Sequence, residues 1–259
     1  MEGRGLAEGD LRMGTTLADK SALVIGAGGL GGPALLALAS AGVGRLVLID
    51  GDSVEGSNLN RQPLFTEADL GQPKAAAAAR RLARVSPAVK VEALDRRFDE
   101  ANALELARSV DVLLDGSDNF VTKFLASDTA VTAGKPLVHA GVLRYTVQIL
   151  TVLPGKTGCL RCLFEAPPPD GAVPTCAEAG VLGPLAGFAG ALMGSEAVRL
   201  LCGERGTYAG RLMVYESRGA RARTVPVRLR EGCPACGSLP RQVEAAPVEV
   251  DTARPEGQA

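Results

Sequence analysis

A glycine loop, a few charged side chains and two cysteine pairs are the residues of this chain whose types and spacing can do chemistry. Gly26-Ala27-Gly28-Gly29-Leu30-Gly31 satisfies G-x-G-x-x-G. It follows the apolar run SALVIG (21–26) and opens a small-residue run over 30–41, the order strand, turn, helix. Lacking Cβ atoms, Gly26, Gly28, Gly29 and Gly31 let the backbone approach a nucleotide phosphate or ribose, and a helix start favours negative charge there. Asp50, 19 residues past Gly31, ends the apolar run RLVLID and can accept a hydrogen bond from a ribose hydroxyl. The same glycines also suit a turn that only packs helix on strand, and they do not separate a dinucleotide from ATP.

The next stretch bears on that choice. Ser57-Asn58-Leu59-Asn60-Arg61-Gln62 is followed by Gly71-Gln72-Pro73-Lys74. Hydride transfer needs no second set of cations near a triphosphate, whereas phosphoryl or adenylyl transfer does, and Arg61 and Lys74 can supply it. Lys74 opens the helical run KAAAAARRLARVS, with Pro73 expected at the first helical position. A cation in a first turn opposes the helix dipole, so a bound anion would explain it; two solvated surface cations are the alternative. Asp115-Gly116-Ser117-Asp118-Asn119 ends the run VDVLLD (110–115). Ligands bind at the carboxyl ends of strands in open α/β sheets, so Asp118 can ligate Mg²⁺, or it can cap the helix that starts near Asn119.

Four of the six cysteines form two Cys-x-x-Cys pairs, Cys159/Cys162 and Cys233/Cys236, separated by 70 residues. Four thiolates make a closed tetrahedral zinc site with a structural role, stapling the second half of the chain to itself. Cys176 lies in a polar loop, as a nucleophile or a tolerated loop residue. Cys202 ends an apolar helix as a small core residue. His139, the one histidine, ends a fifth strand and reads as buried and hydrogen-bonded rather than as a base. Chemistry without a general base suits such a chain, for example carboxylate attack on the α-phosphate of ATP.

The elements that must hold these residues alternate. Strands are expected at 21–26, 45–50, 89–94, 110–115 and 136–140, with helices at 30–41, from 73 to 86, 102–108 and 119–133, the last ended by Gly134. Five alternations imply a Rossmann-like, mostly parallel sheet with right-handed crossovers and flanking helices. Beyond Gly141, the run 145–153 pairs antiparallel, a loop spans 167–179, a Gly/Ala-rich helix spans 181–201, and 212–215 with 224–229 form a hairpin. The Gly/Ala helix is either a dimer face or an internal core helix. Residues 1–20 read as a flexible arm, 21–237 as the folded unit with its zinc-tied extension, and 238–259 as a disordered tail.

Composition agrees. The 259 residues correspond to about 1.7 domains of ordinary size. Lys+Arg of 28 against Asp+Glu of 29 leaves a net charge of -1, so no global basic field draws the chain to nucleic acid or an anionic membrane. Glycine stands at 32 residues and aromatics at 3% with no Trp, which favours tight helix packing over a base-stacking platform. No signal-peptide core and no run of 18 apolar residues is found, so a cytoplasmic protein with a metal site is expected rather than disulfides.

Together the motifs VIGAGGLGGPALLALASAGVGRLVLIDGDSVEGSNLNRQ, LGQPK, DVLLDGSDN, GCLRC, TCAEAGVLGPLAGFAG and GCPACG resemble the MoeB/ThiF/HesA family, bacterial relatives of ubiquitin-activating enzymes. The resemblance covers about residues 21 to 237. It implies ATP-dependent adenylation of the C-terminal glycine carboxylate of a small ubiquitin-like sulfur carrier ending in Gly-Gly, before thiocarboxylate formation. By matched motif, Gly29 lies against the nucleotide and Asp50 binds its ribose. Asn58, Arg61 and Lys74 hold phosphates, Asp118 holds Mg²⁺, Asn119 sits beside the nucleotide, and Cys159, Cys162, Cys233 and Cys236 bind zinc. Cys176 matches a loop cysteine that links covalently to the carrier in some members. A homodimer and a separate sulfur donor, a desulfurase or rhodanese, are implied as partners. Members usually begin with an R-Y-x-R-Q helix whose arginine reaches the other subunit's ATP; residues 1–20 hold only Arg4 and Arg12 and lack that pattern. The competing expectations are an NAD(P)-dependent oxidoreductase, a non-catalytic carrier-binding relative, and a specialised adenylating or dehydrating enzyme of the same superfamily acting on a peptide or tRNA.

Overall fold

The computed structural model describes residues 16–169, 172 and 180–239. Buried apolar runs of four or five residues cannot be satisfied by a half-solvated sheet, so they become central parallel strands. Strands β1 (Ser21–Ile25), β2 (Arg45–Ile49), β3 (Lys90–Leu94), β4 (Val112–Asp115) and β5 (Leu137–Leu143) pair in parallel in the order β3-β2-β1-β4-β5. Strands β6 (Thr146–Val152), β7 (Arg211–Glu216) and β8 (Arg221–Pro226) extend the sheet antiparallel to eight strands.

Side chains alternate across the sheet into two cores. Val24, Leu48, Leu114 and Val138 face α1 (Gly31–Ser40), α2 (Lys74–Val85) and a long helix, α6 (Gly183–Leu201). Leu23, Ile49, Leu113 and Leu137 face α3 (Ala103–Arg108), α4 (Phe120–Ala133), and the cysteines that follow β6 and β8, beside the short α5 (Leu160–Leu163).

Several boundaries differ from the sequence expectation for physical reasons. The fifth strand runs on to Leu143, because it turns directly into β6 through Arg144, whose φ is 53°. His139 therefore lies inside β5 rather than at its end. The last strand is Arg221–Pro226, not 224–229. Val227 leaves the ladder to donate to the Gly210 carbonyl (2.8 Å) and accept from Gly158 N–H (3.3 Å), and it is buried on the cysteine side. Pro73 is the N-cap of α2 and Lys74 its first residue. Leu17, within the expected arm, is buried and its carbonyl accepts from Gly44 N–H at 2.9 Å. Residues 1–15, with Arg4 and Arg12, and 240–259 lie outside the described residues, as does Cys176.

One face of the Gly/Ala-rich helix packs into the core. A Cβ at Gly190 would lie 2.2 Å from the Leu30 carbonyl oxygen, and one at Gly194 would lie 2.5 Å from Ala37 Cβ. Its small residues are therefore used in seating α6 on α1. Gly187, in the same helix, faces open space. Two opposite outcomes follow for urea unfolding. Gly190→Ala should lose about 3 kcal/mol through overpacking, and Gly187→Ala should gain about 0.5–1 kcal/mol through helix propensity.

Candidate functional site

The parallel register places the carboxyl ends of the central strands at one level. Ile25 pairs with Ile49 and with Asp115, and Asp115 pairs with His139. The chain leaves β1 through Gly26 (φ +86°), whose N–H donates to the Ile49 carbonyl at 2.8 Å, while Gly116 N–H donates to the Ile25 carbonyl at 2.9 Å. Helix α1 starts there with no side-chain cap and no acidic residue in its first turn. No acidic residue of its own first turn offsets its positive dipole end.

Asp50 closes this loop. One carboxylate oxygen accepts from Ala27 N–H at 2.7 Å and the other from Asp52 N–H at 2.9 Å. Burial pushes its carboxyl above the usual range, against those two backbone bonds. The segment Asn58–Gln62 sits on the other side of the glycines. A Cβ at Gly29 would lie 3.0 Å from the Arg61 carbonyl oxygen and 3.1 Å from Ala186, and one at Gly28 would lie 3.4 Å from Gln62 Nε2.

Arg61 donates to Asn58 Oδ1 at 2.6 Å, to the Ser57 carbonyl at 3.1 Å and to Asn60 Oδ1 at 3.2 Å. All three acceptors are neutral, so its guanidinium charge is oriented without being cancelled. Lys74 is neither solvated nor without a partner: it is buried, and its ammonium meets Asp52 at 3.0 Å. The carboxylate of Asp52 thus accounts for a cation in a first turn without any bound anion. Gln62, which the sequence pattern did not single out, is buried with Oε1 lacking any hydrogen-bond partner. A buried acceptor without a donor is costly, and a ligand hydroxyl or amine at this loop would supply one.

On the β4 side, Asn119 caps α4 by accepting from Thr122 N–H at 2.8 Å. Asp118, exposed one residue earlier, is not the cap, which leaves its carboxylate available for another role. Beneath them lies a network that sequence reasoning did not foresee. Asp115 is fully buried. Its Oδ1 accepts from Ser117 N–H and Oγ–H at 3.0 and 2.5 Å, and its Oδ2 meets His139 Nδ1 at 2.7 Å and Lys123 Nζ at 3.3 Å. Lys123 also donates to the Ala140 carbonyl at 2.8 Å. Burial raises the Asp115 carboxyl, but Lys123 and His139 overcome it and hold the group well below the carboxylate range. Burial and the Lys123 charge lower His139, so it is a neutral ring donating Nδ1–H to Asp115. This is the buried, bonded histidine expected.

The two cysteine pairs meet. Cys159, Cys162, Cys233 and Cys236 lie with all their sulfur atoms within 4.8 Å of one another. The sulfurs of Cys159 and Cys162 are 3.9 Å apart, those of Cys159 and Cys233 3.6 Å, and those of Cys162 and Cys236 3.3 Å. Tetrahedral zinc with Zn–S bonds of about 2.3 Å needs sulfurs roughly 3.8 Å apart, so the donor set fits a metal ion. Burial pushes the Cys159 thiol up to about 12, and the Cys236 thiol upward too. For Cys233, burial is outweighed by the backbone N–H groups of Cys236 and Ala235 and by the neighbouring thiols, which bring it to about 7. Four thiolates at this spacing need a cation to coexist.

The comparisons with known proteins agree with this geometry. A model described as the ThiF family matches residues 8–235. The sulfur carrier protein adenylyltransferase of Thermus thermophilus is 46% identical over 234 residues, covering 88% of this chain and 86% of that protein. The SAMP-activating enzyme E1 of Haloferax volcanii is 43% identical over 215 residues, covering 83% and 79%. A probable adenylyltransferase/sulfurtransferase MoeZ of Mycobacterium tuberculosis is 41% identical over 221 residues, which span 84% of this chain but 56% of that protein. Among solved structures, E. coli MccB with ATP is similar in fold, with a TM-score of 0.75 at 22% identity over 86% of this chain and 67% of that one.

The buried network makes a stability prediction with a sign. Lys123→Met leaves Asp115 without its cation and should cost about 3–5 kcal/mol. Asp115 is depressed from 3.8 in the folded state. Its contribution is therefore complete above the unfolded value and is lost as pH falls through the folded one. Urea titrations from pH 7 to 2 should show stability falling below about pH 4, and Asp115→Asn should flatten that fall while lowering stability at pH 7.

Proposed function

Because the chain belongs to the ThiF family, we propose that it adenylates the C-terminal glycine carboxylate of a ubiquitin-like sulfur carrier protein ending in Gly-Gly. The observation that carries this reading is the seat of Asn58–Gln62 on the glycine loop. It sets a charged Arg61 and an unsatisfied Gln62 beside a helix whose first turn carries no acidic residue. ATP is the substrate that fits a loop with both backbone donors and an extra cation. In the reaction an oxygen of the carrier carboxylate attacks the α-phosphorus, the bond to the bridging oxygen breaks, and pyrophosphate leaves. The nucleophile is already ionised, so no base is needed, and the neutral His139 turned toward Asp115 is not required as one.

In this reading Asp50 accepts from the ribose while holding the glycine loop through Ala27. The backbone at Gly26, Gly28, Gly29 and Gly31 meets the nucleotide closely. Arg61, oriented by Asn58, and Lys74, held by Asp52, neutralise charge that builds on the phosphates. Asp118 and Asn119 stand at the end of β4 on a turn fixed by Asp115. Asp118 would hold Mg²⁺, which supplies charge neutralisation on the departing phosphates when bound. Cys159, Cys162, Cys233 and Cys236 would hold a structural Zn²⁺ that joins the end of β8 to α5. Cys176 would serve as a nucleophile toward the activated carrier, with sulfur from a separate desulfurase or rhodanese. A homodimer in the cytoplasm completes the reading. Among the described residues no helix is long and apolar enough to cross a membrane.

Pyrophosphate exchange into ATP tests it. Exchange should require a carrier ending in Gly-Gly, and its absence with every such carrier would count against the activity. Asp118→Ala should abolish exchange, and Arg61→Ala should slow it by about 10²–10³-fold; an unchanged rate removes the role assigned to that residue. For the metal, elemental analysis should find one zinc per chain, and Cys162→Ser or a strong chelator should release it and lower the melting temperature.

A further inference from the structure

Beside Asp50 lies a side chain with no part in the phosphate site, Arg97. Strands β2 and β3 end next to one another, with Ile49 opposite Leu94, and Asp50 N–H donates to the Leu94 carbonyl at 3.1 Å. The chain leaving β3 then crosses the residue that follows Asp50. A Cβ at Gly51 would lie 2.9 Å from Arg97 N and 3.0 Å from Arg97 Cγ. The stem of Arg97 can lie across the tip of β2 only because Gly51 has no side chain.

The segment that carries Arg97 is anchored. Phe98 is buried in the core beneath α3 and α4. Asn102, itself buried, donates to the Arg97 carbonyl at 2.9 Å and to Asp99 Oδ1 at 2.7 Å. The backbone of Arg97 is therefore fixed while its side chain is exposed. Among the described residues no hydrogen bond or ion pair holds its guanidinium.

The two cores set where this side chain stands relative to the phosphate groups. Lys74 opens α2, whose Ala75, Ala77 and Ala78 lie in the core shared with α1, whereas Ile49 and Phe98 lie in the opposite one. Arg97 and Lys74 thus flank Asp50 from opposite faces of the sheet. A nucleotide whose ribose meets Asp50 directs its phosphates toward Gly28, Arg61 and Lys74. Its base then projects toward the other face, because base and phosphate leave the sugar ring on either side of its hydroxyl-bearing edge. The crevice is open there, since the strand order reverses between β1 and β4. Aromatics make up 3% of the chain and Trp is absent, and a guanidinium is the other planar side chain that stacks on a ring face. Arg97 has no ion pair to give up in doing so.

We propose that Arg97 is a further nucleotide-binding residue, which lays its guanidinium on the face of the purine base. The proposal rests on the reading of the glycine loop as an ATP site. Its test is calorimetric titration of the full chain with ATP and with inorganic tripolyphosphate, which has no base. Arg97→Ala should weaken ATP binding about tenfold and leave tripolyphosphate binding unchanged. Arg97→Lys keeps the charge but loses the plane, and should restore only part of the ATP affinity. In pyrophosphate exchange Arg97→Ala should raise the KM for ATP by a similar factor, with kcat and the KM for the carrier unchanged. The melting temperature of each variant shows that the fold is intact. Equal ATP binding by the wild type and Arg97→Ala, an equal loss of ATP and tripolyphosphate binding, or full recovery with lysine would each overturn the proposal. A wild-type chain that binds no ATP overturns the ATP reading itself, so the two failures are distinct.

Discussion

Nothing larger than a hydrogen atom fits between Gly31 and the Gly26 carbonyl. A Cβ on Gly31 would lie 1.7 Å from that oxygen, and one on Gly116 would lie 2.8 Å from Gly31 N. The first turn of α1 is thereby pressed against the ends of β1 and β4 at once. Everything at this end of the sheet depends on that approach. It directs the helix start at the open edge of the sheet, brings the turn after β4 alongside, and leaves Asp50 close enough to hold the loop by the Ala27 amide. Gly31 and Gly116 are required by this close approach, whereas Gly26 is required by its left-handed backbone.

A second constraint sits one layer beneath. The Asp115 carboxylate is removed from water altogether, and it is tolerable only because Lys123, His139 and Ser117 share its oxygens. That arrangement draws residues from β4, β5 and α4 into one electrostatic unit. It fixes the turn on which Asp118 and Asn119 stand, so the exposed part of the site inherits its geometry from a buried one. The cation and the anion cancel within the protein, which leaves the field at the loop to be set by Arg61, Asp50 and the helix start.

Much of this was legible in the amino-acid order. The parallel core could be read because its strands are uninterrupted apolar runs closed by Gly26, Asp50 and Asp115, and Gly134 ends α4 in the left-handed conformation a helix stop requires. The cysteine pairs could be read because Cys-x-x-Cys is itself a local geometry, and the fold brings them together across 70 intervening residues. What could not be read were pairings between elements. Lys74 resembles a free cation until Asp52 is placed beside it. Lys123 resembles a helix surface residue until α4 is laid over β4. The end of the sheet was misjudged because Val225, Val227 and Leu229 alternate as a strand would, yet Val227 turns inward toward the cysteines while Arg221 and Arg223 take up the ladder.

That last strand has a consequence for the molecule in a crowded solution. All six residues of β8 are exposed, and among the described residues it forms one border of an eight-stranded sheet, where edge amides invite a second sheet to join. Arg221 and Arg223 put like charge along that border and Pro226 removes a donor at its end, so two copies meeting edge to edge repel each other instead of zippering. The arginines that spoiled the apolar pattern of a strand are what keep this one from growing.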